Sequence, residues 1–182
     1  MRAGRAALVV LAELMGSPIG GALAAGQVPD APPVEVSQGA AAPSVIAACV
    51  LAAAQAYQLP PVLLIVLLNV EGGRPGEIHR DDNGTVDIGP MQVNQVWLPS
   101  LATHWQASIP DTYAALRDNF CANVEAGAWI LHRAIEDAHG ELWLGVSYYH
   151  SPTPMFQAAY LGDVLSEVRR LQDATGSAGD ER

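Results

Sequence analysis

Apolar residues recur at helical spacing through most of residues 44–172, and this pattern predicts a mainly α-helical domain. Ser44 is a candidate N-cap for a helix over residues 45–57, and the Pro60-Pro61 pair ends that helix and begins the next. Further helices are expected over residues 91–98, 111–116, 119–139, 141–149 and 154–171. Asp118 is the expected cap of the longest of these, and Gly140 its expected end.

Residues 62–70 are apolar on nearly every side, so the segment should be buried on most of its surface. Periodicity alone also allows a buried strand here. Pro61 suits the first turn of a helix and Gly72-Gly73 suits its C-terminal end, and these flanks favour the helix.

Residues 77–87 interrupt the helical pattern with a β-hairpin signal. Asn83 and Gly84 stand between two short segments, and both residue types tolerate the positive φ angles of a tight hairpin turn. The expected fold class is therefore mainly α, with one small hairpin and no large sheet.

The two ends of the chain differ from this middle part. Residues 1–24 resemble a secretory signal: Arg2 and Arg5 precede an apolar run, and Ala22-Leu23-Ala24 fits a small-x-small cleavage site. An N-terminal helix that is not removed is the alternative. Residues 25–43 are rich in Pro, Ala and Gly and are expected to form a linker, and residues 173–182 a disordered tail.

Composition narrows the possible chemistry. The chain of 182 residues has 19 acidic and 9 basic side chains, and all the basic ones are Arg. A Schiff-base lysine, a phosphate-binding Walker loop and a Ser-Lys dyad are thereby excluded. Nucleic acid is not an expected partner, because no basic stripe could neutralise its phosphates.

Two cysteines, Cys49 and Cys121, are present. An even number in a chain with an export signal suggests one disulfide, with two buried free thiols as the alternative. Neither cysteine has a histidine at metal-ligand spacing, so no metal site is expected.

Glu71 is the main candidate for chemistry. It directly follows the apolar helix and precedes Gly72 and Gly73. Burial and the negative end of the helix dipole both disfavour its charged form and should raise its pKa, which suits a general acid. The alternative is a glutamate that turns out to solvent at a helix end. Glu77, in a polar loop, is a weaker candidate for the same role.

The segment that follows the hairpin turn carries several polar groups. Gln92 and Asn94 offer neutral donors and acceptors suited to hydroxyl and amide groups, and Asp87 could approach Glu71 across a cleft. Capping and turn formation are the alternative roles for these three side chains. Trp97 follows on the same expected helix and could stack on a sugar.

Together these motifs resemble the lysozyme-like superfamily, and most closely its soluble lytic transglycosylases. The resemblance rests on Glu-Gly-Gly at 71–73 and Asp-Ile-Gly-Pro-Met-Gln-Val-Asn at 87–94. Cys-Ala-Asn at 121–123, Gly-Ala-Trp-Ile-Leu at 127–131 and Val-Ser-Tyr-Tyr-His-Ser-Pro at 146–152 agree with it. The pattern is most similar to the small transglycosylases that accompany secretion systems, conjugation machines and type IV pili.

The resemblance implies a lysozyme-like α+β fold whose hairpin borders an active-site cleft. It implies cleavage of peptidoglycan between N-acetylmuramic acid and N-acetylglucosamine, with Glu71 as the catalytic acid. Positions expected to line the sugar-binding groove or to stand near the acid are Gly89, Met91, Gln92, Asn94 and Tyr149. Three positions depart from the family pattern, namely Pro90, His150 and Pro152.

The presence of Asp87 leaves more than one reaction possible. It falls where animal lysozymes carry a second carboxylate, so a muramidase that uses Glu71 and Asp87 is the alternative to a transglycosylase. A non-catalytic peptidoglycan-binding protein is the third possibility. The expected location is the periplasm or the exterior, with no cofactor, no membrane span in the mature chain, and a secretion, conjugation or pilus complex as the partner beside peptidoglycan.

Overall fold

In the computed structural model, residues 42–177 are described, and they form seven α-helices and a small antiparallel sheet. The expected signal peptide, most of the expected linker and residues 178–182 lie outside this range. The helices are α1 (Pro43–Ala56), α2 (Pro61–Glu71), α3 (Leu98–Trp105), α4 (Ile109–Asp118), α5 (Phe120–Asp137), α6 (Leu142–His150) and α7 (Pro154–Ser177). The strands are β1 (Ile78–Arg80), β2 (Val86–Ile88) and β3 (Val93–Asn94), and a 3₁₀ helix covers Gln95–Trp97.

The mainly α fold class with a hairpin is confirmed. The hairpin pairs β1 with β2, with His79 opposite Asp87, and the turn between them contains Asn83 and Gly84. A short third strand extends it, because β3 pairs with β2 in the order β1-β2-β3. Residues 62–70 lie within a helix, as their flanks indicated.

Helix α5 lies at the centre of the packing, where it contacts α1, α4 and α6, while α7 contacts α2 and α6. The buried face of α5 carries Val124 and Leu131, and the apolar α2 buries Leu64 and Leu67. A disulfide joins Cys49 of α1 to Cys121 of α5, as the cysteine count suggested. Within residues 42–177, none of the helices combines the length and hydropathy needed to cross a membrane.

Residues 91–98 do not form the expected helix. Gln92 has a left-handed backbone with φ 46°, and the chain then forms β3 and the 3₁₀ helix before α3 begins at Leu98. The side chain of Asn94 caps the 3₁₀ helix by accepting a bond from the Val96 amide at 3.1 Å. The polar residues that suggested a helix start therefore shape a turn and a strand instead.

Two expected caps are also wrong. Helix α1 begins at Pro43 rather than after Ser44, and its N-cap Ala42 makes no side-chain bond. Asp118 ends α4 and bonds Arg117, while Asn119 caps α5 by accepting from the Ala122 amide at 3.1 Å. Helix α7 continues to Ser177, past the end expected at Leu171.

Candidate active site

A cleft of about 570 Å³ opens beside the end of α2. One part of its lining comes from the sheet and the 3₁₀ helix, and another from the end of α6 and the start of α7. The lining includes Glu71, Asp81, Asn83, Thr85, Asp87, Gln92, Asn94, Val96, Trp97, Tyr148, Tyr149, His150, Pro152 and Phe156. The hairpin thus borders the same cleft that Glu71 reaches.

Glu71 is the last residue of α2, where Gly72 ends the helix in a left-handed conformation at φ 64°. The Tyr160 hydroxyl donates a hydrogen bond of 2.6 Å to Glu71 Oε1. Burial raises the pKa of Glu71 to about 7, the Tyr160 bond opposes this rise, and the nearby charge of Asp87 adds to it. Glu71 therefore exchanges a proton near neutral pH, as a general acid must.

Gly73 lets two chain segments meet beside Glu71. A Cβ at this position would lie 2.1 Å from the Gly89 carbonyl oxygen and 2.4 Å from Gln92 Nε2. Only a glycine allows the loop after α2 to approach the turn after β2 this closely.

Asp87 projects from β2 into a network of polar side chains. Asn94 Nδ2 lies 2.9 Å from Asp87 Oδ1, 3.1 Å from Asp81 Oδ2 and 2.9 Å from Thr85 Oγ1. Burial raises the pKa of Asp87, the Asn94 bond lowers it, and the charge of Asp81 raises it again. The network fixes the Asp87 carboxyl at the cleft. Its catalytic role stays a prediction.

Two of the residues expected at the groove serve the scaffold instead. Met91 has no exposed surface and packs beside Gly127, so its side chain cannot touch a ligand in the cleft. Gly89 is buried with φ +68°, and a Cβ there would lie 2.5 Å from Asn123 Nδ2. Gln92 does line the cleft, and its Nε2 donates to the Gly89 carbonyl at 2.8 Å.

Tyr149 lines the same cleft as Glu71, and its hydroxyl bonds the backbone of another residue. It donates to the Met91 carbonyl at 2.8 Å and so ties α6 to the turn after β2. Burial, together with the charges of Glu71 and Asp87, raises the pKa of Tyr149 well above its usual value. Tyr149 is therefore a neutral hydroxyl, and Tyr148 beside it also lines the cleft.

Sequence reasoning missed Tyr160, the residue that bonds the acid directly. It lies in α7, and His150 stacks on its ring with centroids 4.8 Å apart. A signal was present: Tyr160, Val164 and Val168 are spaced four residues apart on one apolar stripe of α7. A buried tyrosine in such a stripe needs a partner for its hydroxyl.

Glu77, the weaker candidate for the general acid, lies outside the cleft. The Glu77 side chain is 55 % exposed and lies 4.0 Å from Arg74. Trp97 does line the cleft, and its ring meets Trp129 edge-on at 5.9 Å. Within the described part of the chain, no group of three or more His, Cys, Asp or Glu side chains could hold a metal ion.

Residues 48–158 match the family model described as transglycosylase SLT domain, which is more than half of the chain. The chain belongs to this family. The helical domain with its small sheet is the lysozyme-like fold that the family shares, and membership supports a peptidoglycan-cleaving function of the lytic transglycosylase type. A search of the curated proteins found no match.

Proposed function

We propose that this protein is a peptidoglycan lytic transglycosylase with Glu71 as its acid and then its base. The observation that carries the proposal is a glutamic acid with a pKa raised to about 7, held by Tyr160 in the cleft of an SLT domain. Such a group is protonated in a large fraction of molecules at neutral pH, so it can donate a proton to a leaving oxygen.

The reaction needs one carboxyl group for two proton transfers. Glu71 donates its proton to the oxygen that links C1 of N-acetylmuramic acid to N-acetylglucosamine, and the C1–O bond breaks. The 6-hydroxyl oxygen of the same muramic acid then bonds to C1 and gives its proton to the Glu71 carboxylate. The product is a 1,6-anhydro sugar, no water is consumed, and Glu71 regains its proton. Because the attacking hydroxyl is tethered, proximity replaces a captured water.

Asp87 supports a second candidate function. It lies in the same cleft and raises the pKa of Glu71, so it could stabilise the cationic sugar or direct a water as in a muramidase. The Asn94 side chain donates a hydrogen bond of 2.9 Å from Nδ2 to Asp87 Oδ1. This fixed carboxylate suits charge stabilisation, and family membership favours the transglycosylase.

Replacing Glu71 by Gln tests the function. The purified protein and the Glu71→Gln and Glu77→Gln variants would be incubated with peptidoglycan, and the released muropeptides analysed by mass spectrometry. We expect anhydro ends from the wild type and from Glu77→Gln, because Glu77 lies outside the cleft. Glu71→Gln should lose about 10³-fold in rate, as for removal of a general acid.

The other results would each reject this function. Undiminished release by Glu71→Gln would remove the acid from its role. Reducing ends in place of anhydro ends would identify a muramidase, and glycan binding without cleavage by the wild type would identify a binding protein.

We further propose that the chain is exported and opens the wall locally for a secretion, conjugation or pilus complex. Arg2 and Arg5 before an apolar run, and the Cys49–Cys121 disulfide, support the export. N-terminal sequencing of the protein from a periplasmic extract should give a chain that begins at Ala25, whereas an intact Met1 in that fraction would contradict cleavage.

A further inference from the structure

The charge of the cleft is distinctive. Three of its lining side chains are carboxyl groups: Glu71, Asp81 and Asp87. The other polar groups are neutral amides and hydroxyls, and no arginine is among the described residues that line it. His150 is the basic side chain on the lining, and its ring stacks on Tyr160. A ligand in this cleft therefore meets mainly negative charge.

The two aspartates cannot turn away from the cleft freely. Asn94 Nδ2 contacts both carboxyl groups, and the Thr85 hydroxyl donates to Asp81 Oδ2 at 2.6 Å. Neither aspartate belongs to an ion pair with an arginine in the described part of the chain. His79 lies opposite Asp87 in the hairpin and offsets part of the negative field of that carboxyl group. A pair of carboxyl groups held at the cleft creates a negative potential there, which repels anions.

Apolar side chains complete the walls. Val96 is 64 % exposed and Phe156 is 48 % exposed, and both line the cleft with Pro152. Such surfaces suit the uncharged faces of acetylated sugars. Peptidoglycan, however, also carries stem peptides on the lactyl groups of muramic acid, and each stem brings free carboxylates unless they are amidated. Removing a stem does not remove the charge, because it leaves the lactyl group itself as a free carboxylate.

We propose that the cleft selects glycan strands whose stem carboxyls are amidated over strands that carry free carboxylates, either on their stems or on the lactyl groups of peptide-free muramic acid. This inference rests on the proposed function and names the substrate class of the same site. Like charges across an interface suppress the wrong partner, and salt at about 0.1 M screens charges that lie more than about 10 Å apart. The preference should therefore be strongest at low ionic strength.

The test measures binding and cleavage of three strands of equal length: peptide-free, stem-bearing with free carboxyls, and stem-bearing with amidated carboxyls. The Kd of Glu71→Gln for each strand is measured by calorimetry, and kcat/KM of the wild type by product release. At about 10 mM salt we expect the free-carboxyl strand and the peptide-free strand each to bind about 5-fold more weakly than the amidated strand, with less than about 2-fold difference at about 200 mM.

A pair of variants isolates the charge. Val96→Arg places a cation on the wall, while the Val96 backbone amide keeps its bond to Asn94. It should remove most of the discrimination at low salt, whereas Val96→Gln, similar in length but neutral, should retain it. The readout is the Kd of the free-carboxyl strand divided by the Kd of the amidated strand. A general loss of affinity changes both values and leaves this ratio unchanged.

Several outcomes would overturn the preference. Equal binding of the three strands would do so. Weaker binding of both stem-bearing strands than of the peptide-free strand, unchanged by salt and by Val96→Arg, would assign the selection to bulk instead of charge. Cleavage of none of the strands by the wild type would reject the proposed function, while the Kd values would still decide the preference.

Discussion

The proton of Glu71 is controlled by neighbours with opposite effects. The Tyr160 hydroxyl bonds the carboxylate and lowers the pKa of Glu71, whereas the charge of Asp87 raises it. The proposed general acid must be protonated to act, so the alkaline limb of kcat/KM should follow the pKa of Glu71 in the free enzyme. Substitutions at the two neighbours should move this limb in opposite directions.

Tyr160→Phe should move the alkaline limb to higher pH, because the bond to the charged form is lost. Asp87→Asn should move it to lower pH, because a repelling charge is removed. The measurement is the pH profile of kcat/KM, or the ¹³C shift of the Glu71 carboxyl where a variant is too slow. Tyr149→Phe is the matched control, since its hydroxyl bonds the Met91 carbonyl and not Glu71. Shifts of both test variants in one direction would refute this account.

Among single residues, the sequence indicated Glu71 as the candidate acid but did not indicate all of its neighbours. Glu71 could be recognised because an apolar helix and two glycines flank it along the chain. Asp81 could not be recognised from local patterns, because its role depends on contacts made through folding. The apolar stripe of α7 marks Tyr160 as a buried residue but does not identify its hydrogen-bond partner. Met91 was wrongly assigned to the groove: the motif fixed its place beside the cleft, but its side chain points into the core.

Helix α5 supports the cleft from behind through one buried side chain. Asn123 Oδ1 accepts from the Met91 amide at 2.7 Å, and Nδ2 donates to the carbonyls of Ile88 and Leu116 at 2.8 and 2.9 Å. The side chain thus substitutes for the ladder bonds that the turn between β2 and β3 cannot make. This contact was invisible in the helical pattern, which marks α5 only as amphipathic.

Asn123→Ala should therefore destabilise the protein by about 3 kcal/mol, because three buried backbone groups lose their partner. Urea unfolding measures the change. Asn119→Ala is the comparison: it removes the N-cap of α5, an exposed bond worth about 1 kcal/mol. If the two variants lose the same stability, Asn123 has no special role in fixing the turn.

The elements that were predicted correctly are those with strong local signals. The Pro61 start and the Gly72 end defined α2, and Asn83-Gly84 defined the hairpin turn. The segment after the hairpin failed because its polar residues satisfy tertiary contacts: Asn94 bonds Asp87 across the sheet as well as the Val96 amide. A helix start and a turn use the same residue types, and only the fold separates them.

In the whole molecule, the disulfide connects parts of the fold that are distant in the chain. Cys49 in α1 and Cys121 in α5 are separated by 72 residues, and the loop between them contains Glu71 and the entire sheet. Bridging a loop of this length restricts the unfolded chain, which stabilises the native state by about 4 kcal/mol in the chain-entropy description. An exported protein would keep this bond in an oxidising compartment.

The double variant Cys49→Ala/Cys121→Ala should accordingly unfold at a lower urea concentration, with a loss of about 4 kcal/mol. Reduction of the wild type by dithiothreitol should produce a similar loss, because Cys121 is exposed at the protein surface and open to the reagent. The double variant itself should not respond to dithiothreitol, and this isolates the disulfide from any general effect of the reagent. Since α1 also packs against α5 through non-covalent contacts, the variant should still fold and cleave glycan in the absence of urea. A wild type whose unfolding midpoint is the same with and without reductant would show that packing alone sets the stability of this domain.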